Sequence, residues 1–190
     1  MAKVRQARVD EFEHVLAFYA AMIDGMRGTD FDVCWEHGVH PSSEFLRSSL
    51  EAGQVFVAEA EAEAEAQPQP APLAPVPFAA AMVLNDEGAP GYDQVPWRVQ
   101  ANPDEVLVIH VLGTLPAYHG RGYARAMVEA CIDEARRTGM KAVRLDTFPF
   151  NMRARRLYES CGFVDVGTFA LAYDNVDDGA ARFVMYERAL

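Results

Sequence analysis

The chain has 190 residues, 51% of them hydrophobic, which is enough for one full core and too few for two ordinary domains. Its formal charge of −11 creates a field that repels nucleic acid and anionic membranes and favours neutral or cationic partners. No run of about 18 apolar residues could span a bilayer, and no apolar stretch follows Lys3, Arg5 and Arg8 as a secretory signal would require.

In chain order, residues 3–8 alternate Val4, Gln6 and Arg8 against Arg5 and Ala7, which predicts a short first strand. Asp10 is placed to cap a helix whose apolar positions Phe12, Val15, Leu16, Tyr19, Met22 and Ile23 recur at helical spacing, with Gly25 and Gly28 ending it. Pro41-Ser42-Ser43-Glu44 opens a second helix carrying Phe45, Leu46 and Leu50 and closing near Gly53. Residues 54–60 then alternate as a strand. A Glu-Ala repeat and five prolines follow, at about residues 60–77. Proline removes ladder donors and the tract has no apolar period, so an exposed strand-to-strand loop is expected, a short solvated helix being the competing reading. Residues 78–84 resume as a strand, and residues 85–104, rich in Gly and Pro, form a second long loop.

The second half is more regular. Residues 106–112 are a near-continuous apolar run, the pattern of a strand buried on both faces. Ala124, Met127, Val128, Cys131, Ile132 and Ala135 mark one face of a helix that stops at Gly139. Residues 142–147 form a strand. Asn151 caps another helix, with Ala154, Leu157, Tyr158 and Cys161 on its face and Gly162 at its end. Terminal strands at about 164–173 and 182–188 pair as a hairpin across the turn-rich residues 174–179. The expected fold is α/β (α+β): a mixed, mostly antiparallel central sheet of about seven strands, flanked by helices, within one domain. Cys34, Cys131 and Cys161 form no CxxC pair, which points to a reduced, cytoplasmic protein with no disulfide frame and no metal site.

The chemistry concentrates after residue 112. Strand, glycine loop, helix is an arrangement that binds phosphates, because the first helical N–H groups have no carbonyl partners and the helix dipole adds positive charge. The loop His119-Gly120-Arg121-Gly122-Tyr123-Ala124 lacks the third small residue of a dinucleotide fingerprint, where Arg125 stands, and the Gly-Lys-Ser/Thr ending of a P-loop.

This loop, with Pro116 three places upstream, resembles the cofactor loop Gln/Arg-x-x-Gly-x-Gly/Ala of the GNAT superfamily of N-acetyltransferases. A second signature follows in order: Leu145-Asp146-Thr147-Phe148-Pro149-Phe150-Asn151, then Ala154, Leu157-Tyr158 and Gly162-Phe163. The resemblance is strong from about Val106 to Phe163 and absent in the Glu-Ala/Pro tract. It implies the acyl-CoA N-acyltransferase fold, with acetyl-CoA as co-substrate and no metal. Residues 119–124 would then cradle the pyrophosphate, and the backbone of Leu112, Gly113 and Thr114 would bond the pantetheine arm between two splayed strands. Asn151 would meet that arm from the other side. Tyr158, two helical turns after Asn151, would face the thiol sulfur. A tyrosine near pKa 10 giving its proton to a thiolate near 8.5 is uphill by about 2 kcal/mol, so Tyr158 is expected to act as a hydrogen-bond donor to the departing thiolate.

The base is less defined. The position where some family members carry a strand glutamate holds Val108, and His110 stands two residues later, able to relay a proton through water; Glu105 and Asp146 rank below it. His119 departs from the family's Gln or Arg, and Arg153, Arg155 and Arg156 are within range of phosphates or simply solvated. The acceptor, a primary amine on a small molecule or peptide, would sit near Asp24, Asp30, Asp32, Trp35 and Glu36, with Tyr92 and Trp97 in the later loop. A homodimer is compatible with this reading. Two alternatives stand beside it: a non-catalytic acyl-CoA sensor, and an acyltransferase for longer acyl groups.

Overall fold

A computed structural model describes residues 2–60, 76–171 and 182–190. The Glu-Ala/Pro tract expected at about 60–77 and the turn expected at 174–179 fall almost wholly outside these residues. The elements in chain order are β1 (Val4–Gln6), α1 (Phe12–Met26), α2 (Ser43–Glu51), β2 (Val55–Glu59), β3 (Phe78–Asn85), β4 (Val106–Thr114), α3 (Tyr123–Arg137), β5 (Ala142–Thr147), α4 (Met152–Ser160), β6 (Val164–Ala170) and β7 (Arg182–Ala189). Among the described residues the strands form one seven-stranded sheet in the order β1-β2-β3-β4-β5-β7-β6. It is mixed: β4 and β5 pair in parallel, while β1/β2, β2/β3, β5/β7 and β6/β7 are antiparallel. This is the expected sheet, and the described residues add four helices flanking it.

The chain divides into two compact units, Met1–Val83 with Val111–Met127, and Leu84–His110 with Val128–Leu190. In the first, α1 buries Phe12, Val15, Tyr19, Met22 and Met26 at helical spacing against Val55, Val57 and Phe78. A short 3₁₀ turn, Val9–Glu11, leads into α1. Asp10 does not cap the helix: it pairs outward with Arg8 Nε at 3.1 Å. The carboxylate that reaches back is that of Glu11, which accepts from Arg8 N at 2.7 Å and from both Arg5 terminal nitrogens at 2.8 Å. The hydrogen bond from Arg5 is the main cause that lowers Glu11 from 4.5 to about 2. α1 ends at Met26, between the two glycines expected to close it, and Gly28 takes φ +74 just beyond. α2 starts within the expected stretch, residues 41–44, and Ser42 caps it, accepting from Phe45 N at 3.1 Å.

In the second unit, β5 pairs along its full length with β7, from Ala142↔Ala189 to Thr147↔Val184. Its parallel pairing with β4 covers only Val106↔Ala142 to Val108↔Arg144. Arg144 and Glu187 face each other across β5 and β7 as a buried ion pair at 3.0 Å. Glu187 also accepts from Arg98 N and Val99 N at 2.9 and 3.0 Å, and the Arg144 guanidinium lies 4.4 Å over the Trp97 ring. These bonds satisfy both buried charges and fix residues 97–99 of the long connection to the sheet.

Candidate functional site

In the first unit the site candidates follow one another along β4 and into α3. Val111 takes φ +46, a left-handed conformation that β-branched residues avoid. Its carbonyl accepts from the Tyr19 hydroxyl at 3.1 Å in a buried setting. Leu112, Gly113 and Thr114 complete the strand, and a Cβ at Gly113 would collide with Met22 Sδ. The Thr114 hydroxyl oxygen is buried and has no hydrogen-bond partner among the described residues. A 3₁₀ turn, Pro116–Tyr118, follows.

His119 folds back on this turn. Its Nε2 lies 3.1 Å from Thr114 O, and since a carbonyl only accepts, Nε2 carries the proton. The ring also meets Phe31 edge-on at 4.8 Å. The side chain is thus a brace between the loop and the end of β4, which the sequence reading did not anticipate. Gly120 and Gly122 take φ +75 and +85, and no atom lies within 4 Å of where either Cβ would stand. Only glycine adopts such angles without strain, and the missing side chains leave the backbone open to solvent. Arg121 N bonds Tyr118 O at 3.4 Å and Ala126 N bonds Gly122 O at 3.0 Å. Among the described residues the N–H groups of Gly120, Gly122 and Ala124 have no protein acceptor. They stand at the positive end of α3, beside the exposed Arg121 and Arg125.

In the second unit, His110 Nε2 lies 2.8 Å from Asn85 Oδ1. The same Oδ1 accepts from Glu87 N at 3.1 Å, which fixes it as the oxygen end of the amide. His110 therefore donates through Nε2, and in neutral imidazole the lone pair sits on Nδ1. Asn151 caps α4 as expected, its Oδ1 accepting from Ala154 N at 3.2 Å. Tyr158 is the buried residue of that helix, its ring 5.9 Å from those of Phe163 and Tyr186. Burial, and then the Asp146 carboxylate, push its phenol well above the ordinary tyrosine range. The hydroxyl is thus a donor at all physiological pH values.

Of the other candidates, Asp146 accepts from the Tyr92 hydroxyl at 2.6 Å. Glu105 is tied to Lys141 Nζ at 2.7 Å and to Asn102 N at 2.9 Å, and these bonds hold its carboxyl below the usual range. Arg155 is engaged with Tyr186, Asp165 and Pro149 O, so its charge is committed within the fold. In the first helical connection, Asp24 pairs with His37 Nε2 at 2.8 Å, while Asp32 accepts from Gly28 N and Cys34 N and so shapes its own turn. Trp97 donates to Tyr92 O at 2.8 Å beneath Arg144 and is a packing residue of its loop. Leu112, Gly113, Thr114 and residues 119–124 therefore belong to one unit, and His110, Asn151 and Tyr158 to the other. Asn85 and Tyr19 gave no signal in the sequence, because their partners lie 25 and 92 positions away.

Among the described residues no group of three or more His, Cys, Asp or Glu could hold a metal ion, and no helix is long and apolar enough to cross a membrane. A family model described as the acetyltransferase (GNAT) family matches residues 31–163, and the chain belongs to that family. Among curated proteins, the mycothiol acetyltransferase of Beutenbergia cavernae is 34% identical over 113 residues, which is 50% of this chain and 38% of the relative. The chain thus spans well under half the length of that relative. Among solved structures, an N-acetyltransferase from Staphylococcus aureus Mu50 superposes with a TM-score of 0.65 at 15% identity, covering 100% of this chain and 98% of the other. The structure of yncA from Salmonella typhimurium, which contains its cofactor acetyl-CoA, gives 0.62 at 16% identity, covering 100% and 94%. At these identities the structural likeness establishes the fold, which is that of the acyl-CoA N-acyltransferases.

Proposed function

We propose that the chain is an acetyl-CoA-dependent N-acetyltransferase acting on a primary amine of a small molecule or peptide. The observation that carries this reading is the glycine turn, where the N–H groups of Gly120, Gly122 and Ala124 lack acceptors among the described residues at a helix's positive end, with open space above both glycines. The buried, unpartnered Thr114 hydroxyl just upstream also fits a segment built to meet a ligand. Residues 119–124 would hold the pyrophosphate, the backbone of Leu112, Gly113 and Thr114 the pantetheine arm, and the Asn151 amide the arm's carbonyls. Bound acetyl-CoA supplies an activated thioester; the C–N bond forms as the C–S bond breaks.

The chain's own residues would then manage two protons. Free amines near pKa 10 are mostly ammonium at neutral pH and must lose a proton before attack. His110, with Nε2–H held by Asn85, has its lone pair on Nδ1 in the neutral form, and that nitrogen would take the proton, directly or through water. A second reading gives the step to Asp146, whose charge acts on Tyr158, although the bond it accepts from Tyr92 steadies the carboxylate and weakens it as a base. Tyr158, held protonated by burial, donates a hydrogen bond to the departing thiolate.

The decisive experiment is calorimetry with acetyl-CoA, followed by turnover on a panel of amines. Binding together with acetylation that is sensitive to Tyr158→Phe supports the enzyme. Tight binding with no amine acetylated moves the assignment to an acyl-CoA sensor, and preference for longer acyl-CoAs to a broader acyltransferase.

A further inference from the structure

One face of α1 is moulded to the outgoing half of β4. Tyr19, Met22 and Gly25 recur at i, i+3 and i+6, so they share one side of the helix. They meet successive points of the segment that follows. The Tyr19 hydroxyl donates to Val111 O at 3.1 Å. Met22 Sδ fills the space that a Cβ at Gly113 would need. The bare Cα of Gly25 admits the Pro116 ring, whose Cγ lies 2.9 Å from where a Cβ would stand. Two glycines, one on each element, are thus set against a bulky partner on the other.

Within this mould Val111 holds φ +46 although it is β-branched and buried. Turning a single strand residue left-handed re-aims the peptides on either side of it, as in a bulge. Such a conformation persists only where the surroundings over-determine it. The Tyr19 ring is core filling that phenylalanine would supply equally well; among the described residues its hydroxyl bonds the Val111 carbonyl. Without that donor the carbonyl loses a hydrogen bond in a buried setting.

We infer that Tyr19 is a positioning residue: its buried hydroxyl holds the Val111 peptide in the left-handed region and so aims the backbone of Leu112, Gly113 and Thr114. What that backbone binds rests on the acetyl-CoA reading above. The conformational claim does not.

The test is a cycle of Tyr19→Phe, Val111→Gly and the double variant. Glycine takes a positive φ without penalty, so it removes the need for a brace. In the free protein, the backbone carbon shifts of residue 111 report its φ directly. Tyr19→Phe should move them toward extended values. Acetyl-CoA affinity by calorimetry should fall about tenfold when Tyr19→Phe is made in the otherwise native chain, the worth of one buried hydrogen bond. It should fall less than about twofold when the same change is made on top of Val111→Gly, on the same scale. An equal loss in both backgrounds, or unchanged shifts at residue 111, would overturn the inference. Should Tyr19→Phe fold poorly, the double variant should recover its melting temperature; failure to recover counts against the brace. If the wild type does not bind acetyl-CoA, the cofactor reading fails, while the shifts still decide the role of Tyr19.

Discussion

Asn85 Oδ1 receives two donors at once, Glu87 N at 3.1 Å and His110 Nε2 at 2.8 Å, and this shared acceptor sets the tautomer of the histidine. The side chain at 85 is therefore a handle on the basicity of His110. Replacing Asn85 by Asp puts a carboxylate against Nε2–H and favours the imidazolium, which raises the histidine pKa. The acidic limb of the pH–rate profile should move to higher pH in Asn85→Asp, and His110→Ala should lower the rate and abolish that limb. A profile that ignores both changes removes His110 as base and leaves Asp146.

Tyr158→Phe keeps the ring that packs on Phe163 and Tyr186 and deletes only the donor. One hydrogen bond to a developing thiolate corresponds to about ten- to hundred-fold in kcat. The KM for acetyl-CoA and the melting temperature should change little. Steady-state kinetics beside a thermal melt checks this, and a loss confined to KM would contradict the role.

Gly122 holds φ +85 with open space above it, so alanine there meets backbone strain rather than a clash. The left-handed conformation costs about 1–2 kcal/mol for a residue with a Cβ. Calorimetry on Gly122→Ala should show acetyl-CoA binding weakened by about tenfold or more, since 1.4 kcal/mol is a factor of ten. Binding equal to wild type would mean that the turn does not face the ligand.

Glu11 supplies an acid-sensitive contact at the entry to α1. Its folded value, about 2, lies below its unfolded 4.5 because Arg5 and the Arg8 amide favour the carboxylate. Its stabilisation is complete above pH 4.5 and drains away as the pH falls toward about 2. Denaturant melts of Glu11→Gln should show a loss of about 2 kcal/mol at neutral pH and a flatter decline on acidification than wild type.

The Arg144–Glu187 pair makes a stronger demand. Glu187→Gln leaves a buried guanidinium without its counter-charge and should cost about 3–5 kcal/mol. Tryptophan fluorescence should report the same event, because Arg144 stacks on Trp97.

The sequence disclosed what depends on local pattern. The predicted strand 142–147 matches β5 residue for residue, and Ser42 and Asn151 cap their helices because a short polar side chain before an apolar stripe has few other uses. Where several local answers were equivalent, the reading missed: Asp10 and Glu11 are adjacent carboxylates, and the intervening 3₁₀ turn selects the second. Gly25 reads as a stop and lies one residue before the helix ends, but its contact with Pro116, far along the chain, has no local sign. Arg144 alternates in β5 as an outward polar residue would, and its burial depends on a partner 43 positions later. The glycine turn, His110, Asn151 and Tyr158 were legible as motif members. The contacts of Tyr19 with Val111 and of Asn85 with His110 were not, since each joins distant segments, and Tyr92, read as an acceptor-side residue, donates to Asp146.

Asn151 carries a consequence for ligand polarity. Its oxygen accepts from the first turn of α4, and this bond holds the amide in place with its NH₂ end as a donor. A ligand meeting that end would offer an electron pair, which an amide-rich tether does and an ammonium does not. Asn151→Asp would keep the cap while reversing that preference, separating the folding role of the residue from its recognition role with a single-atom exchange.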